Sequence, residues 1–387
     1  EFLDRALAAG LASAGMDVIR VGVVTTPTVA HLTASSSVDL GVMISASHNP
    51  MPDNGIKFFA HGGYKLPDQV EDKIQELLNT PWDRPTGAAV GEVEYDDDWA
   101  EKSYIEHLMT SLGTDLHGLR IAVDCANGGA SFLAPEAFRQ AGADAVVINA
   151  APDGRNINDK AGSTHPEQLQ ALTVASEADF GDADRCLAVD RHGNLVDGDK
   201  IMGALAVHMR DEGQLAKDTL VVTVMSNLGL ILAMQEAGIQ TVQTGVGDRY
   251  VLEAMLEGGY SLGGEQSGHI IAKKYATTGD GILSSLLLAR MVKESGRDLA
   301  DLTGFIKRLP QTLINVGGVD RSRANTDPVV AEAVAAAEAV LGNTGRVLLR
   351  PSGTEPLVRV MVEAATQAQA DGVASRLADV VKENLSL

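Results

Sequence analysis

The sequence predicts a multi-domain α/β protein, with three mixed-sheet α/β domains followed by a C-terminal α+β domain. Three observations carry this. At 387 residues the chain is too long for a single core. Short Val/Ile-rich runs alternate with helical patterns along most of it, the rhythm of largely parallel sheets with crossover helices. The last stretch instead has apolar strands on both sides of one polar loop, as an α+β unit would. Composition agrees: 45% hydrophobic residues, only 4% aromatic, and 40 glycines fit aliphatic cores joined by tight loops.

In chain order, the first domain (1–99) has a helix at 1–14, strands at 18–24 and 40–44, and an amphipathic helix at 68–78. An acidic, irregular segment at 81–98 precedes a helix at 99–112. The second domain (100–196) has a strand at 119–124, a helix at 134–141, a strand at 145–148, a Pro/Gly/Asn-rich loop and a helix at 166–175. The third (197–304) has a helix at 200–212, a strand at 220–225 and a helix at 229–237. The fourth (305–387) closes with strands at 345–349 and 358–363 and a helix at 369–384.

A formal charge of −21 argues against nucleic acid and anionic membranes as partners. A small phosphorylated ligand could bind only where local cations and backbone amides overcome that field. Cys125 and Cys186 stand far apart, in neither a zinc pattern nor a disulfide framework, which suggests a reducing, cytoplasmic setting. No apolar run reaches membrane-spanning length. The opening Glu1-Phe2-Leu3-Asp4 is already in helical period without a capping residue, so the expectation is that the first domain's true start is missing.

Four segments carry candidate chemistry. Ser45-Ala46-Ser47-His48-Asn49-Pro50 follows a buried apolar run, and Pro50 turns it onto a loop at a sheet edge, where open α/β sheets place ligands. By itself a Ser–His pair of this kind is more often a polar turn. Gly181-Asp182-Ala183-Asp184-Arg185 sets two carboxylates at alternate positions, able to converge on a hard cation with Arg185 alongside. By itself it is more often a solvated turn. Gly263-Gly264-Glu265-Gln266-Ser267-Gly268-His269 reads equally well as a flexible turn or as a sugar-contacting loop, with Glu265 and Ser267 offering polar atoms. Arg350-Pro351-Ser352-Gly353-Thr354-Glu355-Pro356, between two apolar strands, reads as a compact anion nest.

In this order the four segments resemble the α-D-phosphohexomutase family over nearly the whole chain. The resemblance implies four domains around a central cleft, each giving one loop. It implies that Ser47 carries a phosphoryl group, and that Ser47, Asp182 and Asp184 hold Mg²⁺. Gly264, Glu265 and Ser267 would contact the sugar, and Arg350, Ser352, Gly353 and Thr354 its phosphate. Lys57, in Asn54-Gly55-Ile56-Lys57, resembles the family's general acid or base; without that context it reads as a surface lysine on a strand. His48 and Arg185 complete the implied catalytic set, with Asp248, Arg249 and Arg359 as further candidates. Gly245-Val246-Gly247-Asp248-Arg249-Tyr250 and Thr277-Thr278-Gly279-Asp280-Gly281 are similar to the branch acting on an amino-sugar phosphate. The expected partner is a small sugar phosphate, with no nucleic acid and no membrane; a homodimer is left open.

One departure matters. The family's magnesium loop has an aspartate where Phe180 stands, and Glu177-Ala178-Asp179-Phe180 does not look like an apolar strand. The expectation is that roughly five residues, ending in a third aspartate, are absent between Phe180 and Gly181.

Overall fold

A computed structural model describes residues 2–387 apart from Pro50, Asp184, Gly353 and Thr354, with Gly181, Asp182 and Ala183 described in backbone only. The chain divides into two compact units. One comprises residues 1–225 and 238–305, the other residues 226–237 and 306–387.

Within the first unit, the strands of the first hundred residues fall into two small sheets. Val18–Arg20 runs parallel to Val93–Tyr95, and Leu40–Ile44, Ile56–Ala60 and Tyr64–Lys65 form an antiparallel trio. The predicted strand at 18–24 stops at Arg20 because the chain turns into an unforeseen helix, Thr26–Ser35. Thr25 caps that helix by accepting from Thr28 N–H, and Pro27 fits its first turn.

A five-stranded sheet follows, in the order Leu195–Val196, Ala188–Asp190, Phe180–Ala183, Arg120–Asp124, Asp144–Ile148. Its last three strands are mutually parallel, and its first two add antiparallel edges. Ala122, Leu169, Ala178 and Val189 fill one side of it. The helix Ala130–Gln140 starts four residues earlier than expected, because Pro135 lies inside it rather than at its start.

The chain passes from Phe180 to Gly181 inside one strand. Phe180 pairs with Ile121 and Asp190, and Gly181 with Ala122 and Val189. Neighbours on both sides supply the ladder, and Phe180 is fully buried.

A four-stranded sheet comes next, in the order Gln240–Thr244, Thr219–Thr223, Leu262–Gly264, Ile270–Ala272, with only the last pair antiparallel. Val221, Val251, Met255 and Ile271 form its core. Two capped helices buttress the unit. Asp97–Leu112 is capped by Asp96 and ends at left-handed Gly113; Gly281–Ser295 is capped by Asp280 and ends at Gly296.

The second unit is the expected α+β module. Leu357–Glu363 lies between Gln311–Gly317 and Arg346–Pro351, all antiparallel, with Val358, Val360 and Val362 packed among Val373, Leu377 and Val381. It also contains the helix Leu228–Glu236. Buried Glu363 accepts from Asn227 Nδ2 at 3.1 Å and Leu228 N–H at 2.9 Å, and Arg346 Nε donates to it at 2.7 Å. Among the described residues no helix is long and apolar enough to cross a membrane.

Candidate active site

The strand Leu40–Ile44 pairs with Ile56–Ala60 so that Met43 opposes Lys57, and the serine loop is the connection between them. Ser45 N–H donates to Gly55 O at 2.9 Å and closes the loop base. A Cβ on Gly55 would stand 2.7 Å from Ser45 O, so only glycine lets the two ends meet this closely. At the tip Ser47 has φ +61°, a left-handed conformation unfavourable for a residue with a side chain. Its N–H donates to Ser45 Oγ at 3.0 Å, and Arg185 Nη2 donates to Ser47 Oγ at 2.6 Å.

Ser47, Lys57 and Arg185 line one open cavity of about 130 Å³, together with Lys65 and His269. Its wall also takes in the N-terminal ends of the helices Thr26–Ser35, Ala130–Gln140 and Gly281–Ser295. Three lysine or arginine side chains and three helix N-termini thus oppose the chain's mean negative field at one place. His48, next to Ser47 in the loop, has its pKa lowered by partial burial and then by the charges of Arg185 and Lys57.

Asp280, in the cavity wall, is backed by buried Tyr104. Tyr104 Oη donates to both oxygens of Asp280 at 2.9 Å, while Asp280 Oδ1 caps its helix by accepting from Leu283 N–H at 3.0 Å. Burial pushes the Asp280 carboxyl up to about 6, against the hydrogen bonds that favour its ionised form.

The loop between Leu262–Gly264 and Ile270–Ala272 is a tight turn in which Glu265 N–H donates to His269 O at 3.0 Å and Gly268 N–H to Glu265 O at 3.0 Å. It packs backbone to backbone against Arg185, since a Cβ on Gly268 would stand 1.7 Å from Arg185 O. Glu265 Oε1 accepts from Gly247 N–H at 3.0 Å, and Ser267 is exposed. Gly264 is buried in its strand. Asp248 joins the site through an ion pair with Lys65 and a 3.1 Å contact to His269 Nε2. Burial opposes its ionisation, yet His269 and Lys65 hold its carboxyl well below the usual range. Arg249 pairs with Asp68 and with Glu253.

The fourth segment belongs to the second unit. Arg350 and Arg359 face each other across the strand pair, Ser352 Oγ accepts from Glu355 N–H at 3.3 Å, and Arg321 Nη1 donates to Ser352 O. Of these arginines, Arg321 reaches the loop base, while Arg350 and Arg359 are register partners in the strands beside it. Gly353, Thr354, Asp184 and the side chain of Asp182 lie outside the described residues.

The structure brings Ser47, Lys57 and Arg185 together, with His48 at the margin. Lys65, His269, Asn158 and Asp280 line the same cavity without having been singled out as candidates. His269 and Asp280 sat inside segments already noted, so proximity in sequence was the available signal. Lys65 and Asn158 had no such signal, their contacts being long-range.

Family models for phosphoglucomutase/phosphomannomutase match three parts of the chain: alpha/beta/alpha domain I over residues 1–83, alpha/beta/alpha domain III over 197–309, and the C-terminal domain over 313–380. A phosphoglucosamine mutase of Bifidobacterium longum subsp. infantis is 59% identical over 401 aligned positions, covering 100% of this chain and 87% of the relative. One from Streptomyces coelicolor is 58% identical with the same coverage. Among solved structures, a phosphoglucomutase/phosphomannomutase family protein of Burkholderia thailandensis superposes with a TM-score of 0.80 at 25% identity, covering 100% of this chain and 87% of that one. An N-acetylphosphoglucosamine mutase of Aspergillus fumigatus, solved in complex with GlcNAc-6P and magnesium, has a TM-score of 0.74 at 20% identity, with 98% and 93% coverage.

Proposed function

The chain belongs to the phosphoglucomutase/phosphomannomutase family, and from that premise we propose that it is an isomerase interconverting glucosamine 6-phosphate and glucosamine 1-phosphate, the activity named for its bifidobacterial and streptomycete relatives. The observation that carries the reading is the 2.6 Å bond from Arg185 to the Ser47 hydroxyl, in a cavity that also presents Lys57.

Ser47 is read as the phosphoryl carrier. The phosphorus of a phosphoserine is shielded by nearly two negative charges, so it accepts a sugar hydroxyl only when neighbouring cations draw that charge off. Arg185 stands where those oxygens would be, and the helix N-termini add to the same potential. Neutral Lys57 takes the proton of the attacking hydroxyl as the phosphoryl group leaves Ser47 Oγ, giving a bisphosphorylated sugar and a Ser47 alkoxide held by the Arg185 guanidinium. After the sugar turns end for end, its other phosphoryl group passes to Ser47, and Lys57 returns the proton to the oxygen left behind. Arg350, Ser352 and Arg359 are read as the grip on the phosphate that is not reacting, and Gly264, Glu265 and Ser267 as the sugar-facing turn.

Mg²⁺ is the implied cofactor, and the residues fit it by donor chemistry. Asp182 pairs with Val123 in the strand leading to Arg185, so carboxylate and hydroxyl oxygens, the hard donors Mg²⁺ prefers, come from segments that Arg185 already joins. Asp182, Asp184 and Ser47 would hold it, and it would neutralise charge on the transferring phosphoryl oxygens. The reading places the enzyme in the cytoplasm, where its sugar phosphates would be made.

Intact-mass measurement with turnover tests this. Purified protein treated with a hexose 1,6-bisphosphate should gain one phosphoryl group, and Ser47→Ala should gain none and lose activity. Glucosamine phosphates should turn over faster than glucose or mannose phosphates. Full activity in Ser47→Ala would end the proposal.

A further inference from the structure

The connection between the strand Asp144–Ile148 and the helix Glu167–Ala175 belongs to none of the four motifs, yet it touches the serine loop directly. Its anchor is Asp124, buried at the end of the strand Arg120–Asp124. Asp124 Oδ1 accepts from Ala126 N–H at 2.9 Å and Asn149 Nδ2 at 3.0 Å, and Oδ2 accepts from Gly162 N–H at 3.0 Å. Asn158 N–H donates to Ala126 O at 3.0 Å. Gly162 closes the connection at φ +74°, where a Cβ would stand 2.6 Å from Ala126 Cβ. Asn158, itself at φ +56°, is thereby fixed in a left-handed conformation that asparagine tolerates better than most residues. Its Nδ2 donates to Asn49 O at 2.9 Å and to Ser47 O at 3.3 Å.

The geometry points to Asn158 as a positioning residue that holds the Ser47 backbone so that its hydroxyl meets Arg185. This rests on the reading of Ser47 as the phosphoryl carrier. Ser47 sits in a backbone region that a serine leaves readily, and relaxation there would swing Oγ away from Nη2. The 3.0 Å bond to Ser45 Oγ lies within the same short loop and moves with it. Asn158 instead fixes the loop from a different part of the fold, 111 residues away in sequence, through a network rooted in the five-stranded sheet. One amide spanning two carbonyls controls both the position and the twist of the segment between them. Asn158 acts through Ser47 and transfers no proton.

Two variants test it in the full chain. Asn158→Gly removes the amide while keeping the left-handed backbone accessible, and Asn158→Asp keeps the shape but carries no N–H donor. Both should slow phosphoryl loading of Ser47 from a hexose 1,6-bisphosphate, read by intact mass, and lower kcat by about tenfold or more, what one lost net hydrogen bond is worth. KM for the sugar phosphate should stay within about twofold, because binding residues are untouched. Asn158→Gln, which retains a donor, should recover part of the loss. Wild-type loading and kcat in both variants would overturn the inference. A fall in melting temperature with raised KM and unchanged kcat would also overturn it, by assigning Asn158 a purely structural role. If the unaltered protein takes no phosphoryl group on Ser47, the carrier reading and this inference fall together, whereas equal loading in wild type and variants removes the clamp alone.

Discussion

Replacing Gly268 with alanine should disable the enzyme without removing any group that touches substrate. The added Cβ would stand 1.7 Å from Arg185 O and 3.0 Å from Cys186 O, whereas ordinary contact begins at 3.4 Å. The turn and the Arg185 backbone must therefore separate by about 1.7 Å. Left-handed backbone at φ +89° adds about 1–2 kcal/mol of strain for alanine. Arg185 Nη2 lies 2.6 Å from Ser47 Oγ, and a hydrogen bond tolerates only about 0.5 Å of lengthening before it is lost. A displacement of this size breaks the contact that positions the transferring group. Misplacement by about 1 Å can cost about a hundredfold in rate, so kcat/KM for glucosamine 6-phosphate should fall by about that factor or more. The assay is steady-state turnover, with intact-mass occupancy of Ser47 and a thermal melt on the same sample. A Gly268→Ala enzyme with kcat/KM within about threefold of wild type would refute the reasoning, because the backbone contact would then carry no catalytic geometry.

Arg185→Lys keeps the charge but loses the planar guanidinium that reaches Ser47 Oγ, so kcat should drop by about 10²–10³-fold with KM nearly unchanged; a large KM effect alone would contradict this. His31 stacks on His107 at 4.3 Å, and burial, then the charge of His107, lower its pKa to about 4. The folded state binds that proton less tightly than the unfolded chain does, so its contribution to stability is present above about pH 6.5 and is lost as pH falls toward about 4. His31→Gln should flatten the acid side of the melting-temperature profile, and an unchanged profile would count against the assignment. In the second unit, Arg346→Met leaves Glu363 buried without its charge partner and should cost about 3–5 kcal/mol in denaturant unfolding; a loss below about 1 kcal/mol would show that Asn227 and Leu228 satisfy the carboxylate unaided.

Much of this was legible in local sequence. Apolar periodicity located helices such as Asp97–Leu112 and Gln367–Leu385 to within two residues, and the turn chemistry around Ser47 and Gly268 marked loops that the structure places at one cavity. What escaped was set by distant neighbours. The helix Thr26–Ser35 is rich in β-branched residues, and its Thr25 cap was overshadowed by the strand-like run before it. Phe180–Ala183 is a strand only because two others bracket it. Lys65 meets Asp248 across 183 residues and Asn158 meets Ser47 across 111, distances at which spacing along the chain carries no information. Turn residues announce themselves; the partners that hold a turn in place do not.

The carboxylate of Glu363 ties the start of the helix Leu228–Glu236 to a strand 135 residues further on. During synthesis that helix must emerge, and residues 238–305 must follow, before the strand that completes its socket exists. Closing so long a loop is entropically costly and slow, so the C-terminal module should be among the last parts to consolidate. Cutting the gene at a boundary drawn near residue 305 would separate the two halves of this socket. A C-terminal fragment that is to fold alone needs residues 226–237 spliced back to it.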